Sequence, residues 1–346
     1  MREKEVVSLV KCSSYEQARA DKAIEKALNM LDFDFSKYRE KKVLIKPNLV
    51  GIHDKNQIAV TTNKSLIEAV CKILKKHKCK IYIGDSPFTN PKQVMEKTEI
   101  GKVARKYGKL VIFDQEKMIK IRDEKAHVLK NFYLPRIVKE ASLIINMPKL
   151  KTHQLTKFTG AIKNLYGCIP GGMKQKLHAI ASKEKKFSKM LVDIYQNIKP
   201  ELNIMDAVIG MEGNGPSSGD ARKVGLILAS RNAVALDIAA CRIIGQKIRK
   251  VYAIKQALKR KLASKKIIVY GTLPRLDFKK PRMTSRLRRL FASFIREKPI
   301  VCDKKKCVKC GICARHCPRK AIKLANNLRN LLVILGFLKF KQGSVP

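Results

Sequence analysis

The segment KVLIKPN, residues 42–48, decides the fold of this chain, because an apolar strand runs directly into a turn with a proline and an amide. The same arrangement recurs in KIYIGDSP, residues 80–87, and in SLIINMPK, residues 142–149. Apolar residues at helical spacing lie between these strands, as in residues 66–74. Strands that alternate with helices predict an α/β fold with a mostly parallel sheet and helices on both of its faces.

The rest of the chain extends this alternation. Further apolar strands are predicted at residues 6–11, 109–113, 202–207, 223–230 and 266–270. Amphipathic helices are predicted at residues 15–31, 94–107, 182–197, 233–244 and 251–262, and another begins at Thr61–Asn63. Right-handed crossovers bring the carboxyl ends of parallel strands to one edge, where open α/β sheets bind their ligands.

Polar residues follow three of the predicted strands at this edge. Lys46 and Asn48 follow the first strand, Asp85 follows the second, and Lys149 follows the third. Turn chemistry alone accounts for any one of these turns, because turns favour Asp, Asn and Pro. Three such turns at one edge favour a binding site.

A basic segment, residues 148–172, continues from the third strand. Lysines close to a helix start, with its exposed N–H groups, form an anion site by ordinary electrostatics. The segment lacks the G-x4-G-K-[ST] pattern of a Walker A loop, and its alternative interpretation is a solvated basic loop. The catalytic candidates here are Lys149, His153 and Lys163. The residues predicted to contact a bound cofactor or ligand are Lys46, Asn48, Asp85, Lys151, Thr159 and Asn164.

Three carboxylates are candidates for acid–base chemistry or for holding a hard cation. Asp206 ends a predicted strand, Glu212 lies in the glycine-dense turn 210–220, and Asp237 lies on a predicted helix. The structural alternative is that Asp206 terminates the strand, Glu212 is a loop charge and Asp237 is a surface residue of its helix. Asp206 and Asp237 join the catalytic candidates.

The run CVKCGICARHCP, residues 307–318, has the C-x2-C-x2-C-x3-C-P spacing of bacterial ferredoxins, which bind [4Fe–4S] clusters. Zinc is the weaker interpretation, because paired zinc knuckles separate their two C-x2-C units by a dozen residues or more. Disulfide frameworks suit small secreted chains and not a chain of 346 residues. The run therefore predicts an iron–sulfur cluster.

The fourth ligand of this cluster is open. Cys307, Cys310 and Cys313 are its predicted ligands, whereas the last cysteine of such a run, Cys317, ligates the other cluster in two-cluster ferredoxins. The sequence contains no second run of this kind. Cys302, which precedes the run, is a further candidate. The sequence predicts at most one cluster.

Composition limits the class of protein. Apolar residues make up 45% of the chain, which is enough for a globular core. The first residues lack an apolar signal region, and the longest apolar run, residues 331–338, is shorter than the ~20 residues of a membrane span. Cysteines outside the ferredoxin run are scattered, as in buried apolar positions. These features predict a cytoplasmic protein.

The formal net charge of +47 is compatible with nucleic-acid or lipid binding. The lysines are spread over almost every segment, however, and the chain has no Trp that would stack on bases. A generally basic surface is therefore favoured over a nucleic-acid interface. Attraction of anionic substrates or acidic partners fits either interpretation.

These segments together resemble the DUF362 family, whose members are often described as iron–sulfur-centre or ferredoxin-like proteins. The resemblance covers about residues 5–325 and rests on KPN at 46–48, GDSP at 84–87, PKLKTH at 148–153, TGAIKNLYG at 159–167, DA at 206–207, GNGP at 213–216 and AVALD at 233–237. It implies an α/β core and, in many members, a C-terminal module with two clusters. The residues after Lys323 depart from that pattern, because they carry no second cluster motif.

The predicted organisation is an α/β core at residues 1–275, a basic linker helix at 276–299, half of a ferredoxin motif at 300–325 and an apolar and basic tail at 326–346. We predict an iron–sulfur protein of anaerobic redox metabolism, in which the cluster exchanges electrons with a redox partner protein and with an anionic small molecule at the strand edge. The sequence does not decide between an oxidoreductase and a non-enzymatic electron carrier or assembly factor that docks to acidic partners. Nucleic-acid binding is the least favoured function.

Overall fold

A ten-stranded sheet and a separate two-stranded hairpin contain the strands of the described part of the chain. The structure is a computed structural model and describes residues 5–52, 57–87 and 90–281. In chain order, strands β1 to β12 are Glu5–Lys11, Lys42–Pro47, Lys80–Asp85, Lys109–Ile112, Met118–Arg122, Asn131–Pro135, Leu143–Met147, Lys149–His153, Lys157–Thr159, Leu202–Glu212, Asp220–Ser230 and Ile267–Tyr270.

Helices connect most of these strands. Helices α1 to α11 are Gln17–Asn29, Gln57–Val60, Lys64–Lys76, Pro91–Lys97, Ile100–Tyr107, Arg136–Glu140, Ala161–Asn164, Gly171–Ile180, Glu184–Ile198, Ala233–Ile243 and Tyr252–Lys259. Short 3-10 helices lie at Ser36–Tyr38, Phe113–Gln115, Leu165–Cys168 and Ile248–Lys250. Asn63 caps α3 by accepting a hydrogen bond from the Ser65 N–H, and Asn232 caps α10 in the same way. These caps fix where α3 and α10 begin.

The strand order across the main sheet is β12-β1-β11-β10-β7-β2-β3-β4, and β8 pairs with β10 and with β9. Strand β11 is antiparallel to both β1 and β10, whereas β10, β7, β2, β3 and β4 form parallel pairs, as do β1 and β12. Since β1 and β10 both oppose β11, they run in the same direction. The carboxyl ends of all these parallel strands therefore share one edge, which is where open α/β sheets bind ligands.

Both faces of the sheet are covered by helices. On β2, Leu44 packs into an apolar cluster that includes residues of α7, α9, α10 and α11. Its neighbours Val43 and Ile45 pack into a second cluster, which includes residues of α1, α3 and α5. Because successive side chains of a strand alternate between its faces, the two clusters lie on opposite sides of the sheet. The predicted α/β fold, mostly parallel with helices on both faces, is confirmed.

Two elements differ in extent from their predictions. The predicted helix 94–107 is divided into α4 and α5, because Glu99 adopts a left-handed backbone conformation with a φ of 56°. The predicted strand 202–207 continues to Glu212, since residues 209–212 pair with residues 220–223 of β11. Backbone pairing in this ladder extends the strand into the glycine-dense stretch, and the turn is confined to residues 213–219.

The basic segment 148–172 also differs from its prediction. Lys149 and Lys151 lie on β8, which forms a hairpin with β9, and not at the start of a helix. Helix α7 begins only at Ala161, and it has a single turn. Of the lysines in this segment, only Lys163 lies in a helical turn close to a helix start, whereas Lys149 and Lys151 lie on a strand.

After β12 the chain runs without regular structure through residues 271–281, and Phe278 packs into the core. The remainder of the predicted linker helix, the half ferredoxin motif and the tail lie outside the described residues. Among the described helices, none is long and apolar enough to cross a membrane.

Candidate functional site

Lysine side chains converge beyond the carboxyl ends of β2, β3 and β7. Lys46 is the penultimate residue of β2, Lys149 and Lys151 lie on β8, Lys163 lies on α7 and Lys174 lies on α8. Four of them are at most 1% exposed, and Lys163 is partly buried. Lysine is almost never fully buried unless it is paired, so the partner of each ammonium group decides what the cluster can do. We refer to these five residues as the lysine cluster.

Lys46 has a carboxylate partner. Its Nζ lies 3.0 Å from Oδ1 of Asp85, and both side chains are 1% exposed. The Asp85 carboxylate also accepts hydrogen bonds from the backbone N–H groups of Leu49, at 2.8 Å, and of Ser86, at 2.7 Å. The predicted site residues Lys46 and Asp85 thus form an ion pair with each other. Asp85 neutralises the Lys46 charge, so this lysine needs no external anion.

Gly167 passes directly over this ion pair. A Cβ atom at this position would lie 2.5 Å from Asp85 Oδ1 and 2.6 Å from Lys46 Nζ, which is too close for any side chain. The 3-10 helix at Leu165–Cys168 can therefore cover the buried pair only because residue 167 has no side chain. The ion pair is sealed from water by backbone.

Lys149 belongs to a buried triad with Asp206 and Tyr15. Lys149 Nζ lies 2.8 Å from Asp206 Oδ2 and donates to the Tyr15 hydroxyl at 2.6 Å, while that hydroxyl donates to Asp206 Oδ1 at 2.8 Å. The Asn63 N–H donates to Asp206 Oδ2 at 2.9 Å. Burial lowers the pKa of Lys149, and Asp206 opposes this shift; burial and Asp206 both raise the pKa of Tyr15. The Lys149 charge is therefore also neutralised internally.

Lys151 has no carboxylate partner among the described residues. Its Nζ donates to the Val60 carbonyl at 2.9 Å and to Asn48 Oδ1 at 3.4 Å, and both of these acceptors are neutral. Burial lowers the pKa of Lys151 far below its usual value, and the nearby Lys163 and Lys149 lower it further. A single added anion would relieve both the burial cost and this repulsion.

Lys163 forms neither a hydrogen bond nor an ion pair with any residue in the described ranges. Burial lowers its pKa to about 8, and repulsion by Lys174 contributes. Its position is fixed by Asp237, whose carboxylate accepts the N–H groups of Ala161, at 2.6 Å, and Ile162, at 3.1 Å. Lys163 therefore sits on an anchored helical turn with its ammonium group unpaired.

His153 lies beside these lysines as a neutral imidazole. Its Nδ1 accepts the backbone N–H groups of Leu155, at 3.1 Å, and Thr156, at 3.2 Å, so the ring proton resides on Nε2. Burial lowers the pKa of His153 far below its usual value, and the charge of Lys163 lowers it further. At neutral pH, His153 can therefore donate one hydrogen bond from Nε2.

Amide side chains hold the elements of the site together. Asn164 donates to Asn146 Oδ1 at 2.8 Å and to the Lys46 carbonyl at 3.3 Å. Asn48 donates to the Val60 carbonyl at 2.7 Å. Thr159, at the end of β9, is buried. These contacts fix α7, β2 and β7 relative to one another, so the lysine cluster is rigidly supported.

Lys174 and Tyr15 are site residues that the sequence did not indicate. Lys174 donates to the Ser86 carbonyl, and Ser86 in turn donates to Asp114 Oδ2 at 2.5 Å. Burial lowers the pKa of Lys174 to about 8. Lys174 lies on α8, a helix that was not predicted from the sequence. Tyr15 gave no local signal, because it lies 191 residues from Asp206 in the chain.

The three candidate carboxylates do not converge. Asp206 is bound to Lys149, Asp237 caps α7 with its pKa raised by burial to about 7, and Glu212 pairs with Arg222 at 2.9 Å. Within the described ranges, no three His, Cys, Asp or Glu side chains are grouped to hold a metal ion. The three carboxylates therefore do not form a joint hard-cation site, which was one of the possibilities that the sequence left open. Asp237 is a buried helix cap instead of a surface residue.

The predicted cluster ligands Cys302, Cys307, Cys310, Cys313 and Cys317 lie outside the described residues. The described cysteines, Cys12, Cys71, Cys79, Cys168 and Cys241, are buried free thiols. Burial raises the pKa of each of these thiols, as expected for small apolar core residues and not for metal ligands.

Two families match the chain. The family described as "Domain of unknown function (DUF362)" matches residues 43–242, which contain the whole lysine cluster. The family described as "4Fe-4S binding domain" matches residues 303–323. The second match contains Cys307 to Cys317, whereas Cys302 precedes it, and it indicates a [4Fe–4S] cluster.

Known proteins resemble the chain to different degrees. The thylakoid-associated protein sll1697 of Synechocystis sp. is 33% identical over 236 residues, which cover 67% of this chain and 72% of that protein. The solved structure of the lactate racemase apoprotein from Thermoanaerobacterium thermosaccharolyticum matches with a TM-score of 0.45 and 14% identity. This match covers 69% of the chain and 56% of the racemase, and at this level of similarity it carries no argument about function.

The match over residues 43–242 spans more than half of the 346 residues and contains most of the motifs quoted from the sequence. The identity to the Synechocystis protein extends over a still longer stretch. On this evidence the chain belongs to the DUF362 family.

Proposed function

We propose that the protein is an iron–sulfur redox protein whose lysine cluster binds an anionic small molecule, with the [4Fe–4S] cluster relaying electrons between that molecule and a partner protein. The anion site is supported by one observation: the lysine cluster contains more amino groups than the carboxylates that pair with them. Asp85 and Asp206 neutralise Lys46 and Lys149, while Lys151 and Lys163 have no carboxylate partner among the described residues.

The cost of burying charge supports this assignment. An ammonium group removed from water without a counter-ion is strongly destabilising, and proteins respond by deprotonating it or by binding an anion. The site offers two amines without a carboxylate partner in the described ranges, Lys151 and Lys163, together with the Nε2 donor of His153. Asn164 holds the supporting elements in place. Such a set can bind a carboxylate or a phosphate group and stabilise negative charge that develops on it.

The test uses sulfate as the probe, because its charge is constant between neutral and alkaline pH. Thermal unfolding is followed with sodium sulfate and with sodium chloride at equal ionic strength, in the wild type and in Lys163→Gln. Sulfate stabilises proteins in general, so the informative quantity is the difference between the two proteins. We expect sulfate to stabilise the wild type more than it stabilises Lys163→Gln. The control Lys186→Gln, which replaces an exposed lysine on α9, should respond to sulfate as the wild type does. Equal responses in all three proteins would contradict the anion site.

Anion affinity should fall as the pH rises through about 8. Lys163 carries its charge below its pKa of about 8 and loses it above that value, so an anion is held more tightly on the acidic side. Sulfate affinity, measured by isothermal titration calorimetry from pH 6.5 to 9.5, should decrease by up to about tenfold per pH unit above the pKa. Lys163→Gln should flatten this profile, and a profile that is unchanged in the variant would assign the titration to another group.

Reconstitution with iron and sulfide under anaerobic conditions should give about four iron atoms per chain and a broad charge-transfer band near ~400 nm. Cys310→Ser should lose most of the iron, whereas Cys79→Ser, a buried thiol of the core, should retain it. Cys302→Ser and Cys317→Ser, compared side by side, identify the fourth ligand by which of them lowers the iron content. Iron near eight atoms per chain would contradict the proposal of a single cluster.

The net charge of +47 supports a second candidate, a non-enzymatic electron carrier that docks to acidic partners. This candidate predicts no response of the lysine cluster to sulfate and a protein complex that dissociates as salt is raised. For either function, we propose that the protein is located in the cytoplasm of an anaerobe. The name of the Synechocystis relative instead points to association with a thylakoid, and fractionation of cells distinguishes the two locations.

A further inference from the structure

A groove of about 500 Å³ lies away from the lysine cluster, beyond the carboxyl ends of the parallel strands β1 and β12. Its lining includes apolar residues of three elements, Leu9 of β1, Ala23 of α1 and Leu226 of β11, and this apolar part of the lining is called the floor below. Its volume is within the roughly 300–1,000 Å³ of small-molecule sites, and the carboxyl ends of parallel strands are the usual place for such sites. The groove is thus a second candidate binding site, independent of the function proposed above.

The wall of the groove depends on Gly271. This residue follows β12 with a φ of +106°, and a Cβ atom there would lie 2.2 Å from the Leu9 carbonyl oxygen. Glycine therefore allows the chain to cross closely over β1 before Thr272 and Pro274 form one side of the groove. The close crossing of the backbone at Gly271 therefore shapes one wall of the groove.

The mouth of the groove is cationic. Lys22 and Lys26 lie one turn apart on α1, Lys11 ends β1, and none of the three has an ion pair with a described residue. Arg19, on the same side of α1, pairs with Glu16 at 2.7 Å. Like charges one turn apart on a helix repel each other, and this repulsion is relieved when an anion binds between them. Among the described residues that line the groove, none is acidic and none is aromatic.

We propose that this groove binds a long-chain fatty acid, with the alkyl chain on the apolar floor and the carboxylate at Lys22 and Lys26. An aliphatic body fits the floor, because no aromatic side chain offers the stacking surface that a nucleotide base would use. An anionic head group fits the mouth, because Lys11, Lys22 and Lys26 are positively charged and form no ion pair with a described residue. A neutral amphiphile would satisfy the floor but leave the lysines unpaired.

The test is isothermal titration calorimetry of the full chain with dodecanoate and with dodecanol. We expect dodecanoate to bind in the wild type and its affinity to fall about tenfold in Lys22→Glu/Lys26→Glu. The matched control Lys75→Glu/Lys76→Glu makes the same charge change on the exposed face of α3 and should leave the affinity unchanged. Thr272→Trp, which fills the groove from its exposed rim, should abolish binding of both ligands. Circular dichroism verifies that each variant is folded.

Several outcomes would overturn the inference. The fatty-acid site is excluded if the wild type does not bind dodecanoate. It is also excluded if Lys75→Glu/Lys76→Glu loses as much affinity as Lys22→Glu/Lys26→Glu. Binding that Lys163→Gln abolishes would place the carboxylate at the lysine cluster and not in the groove. Because the sulfate response of Lys163 is measured separately, a failure of the fatty-acid site leaves the proposed function intact, and the reverse also holds.

Discussion

Replacement of Asp206 by asparagine is expected to lower the free energy of unfolding by about 3–5 kcal/mol, because removal of one partner leaves the buried Lys149 charge uncompensated. Asparagine keeps the size of the side chain and an acceptor for the Asn63 N–H, so the loss reports mainly on charge. The measurement is chemical denaturation at neutral pH, which yields the free energy and the m-value together.

Two controls make the Asp206 prediction specific. Asp220→Asn removes the same charge from an exposed residue, 68% of whose side chain is accessible, and should change stability by less than about 0.5 kcal/mol. Asp206→Leu combined with Lys149→Met removes both charges and should recover part of the loss, since apolar replacements of a buried pair are often tolerated. A destabilisation below about 1 kcal/mol in Asp206→Asn would show that the pair is not buried as described.

Lys151→Met should have opposite effects on stability and on binding. The substitution removes a buried amine that has only neutral acceptors, so we expect a gain of about 1–2 kcal/mol in stability. It also removes a charged donor to the proposed anion, so the affinity for sulfate should fall about 100-fold. Stability lost to keep a charge in a binding site is a common trade-off in active sites.

Lys149→Met provides the matched comparison two residues away on the same strand. Both lysines are 1% exposed, but Lys149 is paired with Asp206. Its replacement should destabilise the protein by about 3–5 kcal/mol, because it leaves a buried carboxylate without a counter-charge. Denaturation curves and calorimetry of the two variants give this contrast directly. A loss of stability of similar size in both variants would show that Lys151 also has a counter-ion, which contradicts the unpaired state.

The sequence was informative about the site where the signal was local. Lys46, Asp85 and Lys149 directly follow or end apolar strands, and the parallel arrangement of those strands places them at one edge. The pairing between them could not be predicted, because the Lys149–Asp206 contact joins residues 57 positions apart and Tyr15 joins them from the far end of the chain. Such contacts depend on strand order, which periodicity does not encode.

The buried position of Asp237 could have been predicted from its neighbours in the sequence. It is the one acidic residue in the apolar run AVALDIAAC, residues 233–241, and nearly all of that helix is buried. An acid surrounded by apolar positions on every side of a helix indicates a buried acceptor for backbone N–H groups. The broken helix at Glu99 had no comparable signal, since glutamate seldom adopts a positive φ.

The position of β1 has a consequence for synthesis of the chain. This strand, residues 5–11, lies between β11 and β12, whose paired residues extend from 226 to 229 and from 267 to 270. When the chain emerges from the ribosome, β1 has no neighbour to pair with until most of the core has been translated. Strands β2, β3 and β4, which are close in sequence, can assemble much earlier. Strand β1 is therefore among the last strands to enter the sheet, although it precedes β2, β3 and β4 in the chain.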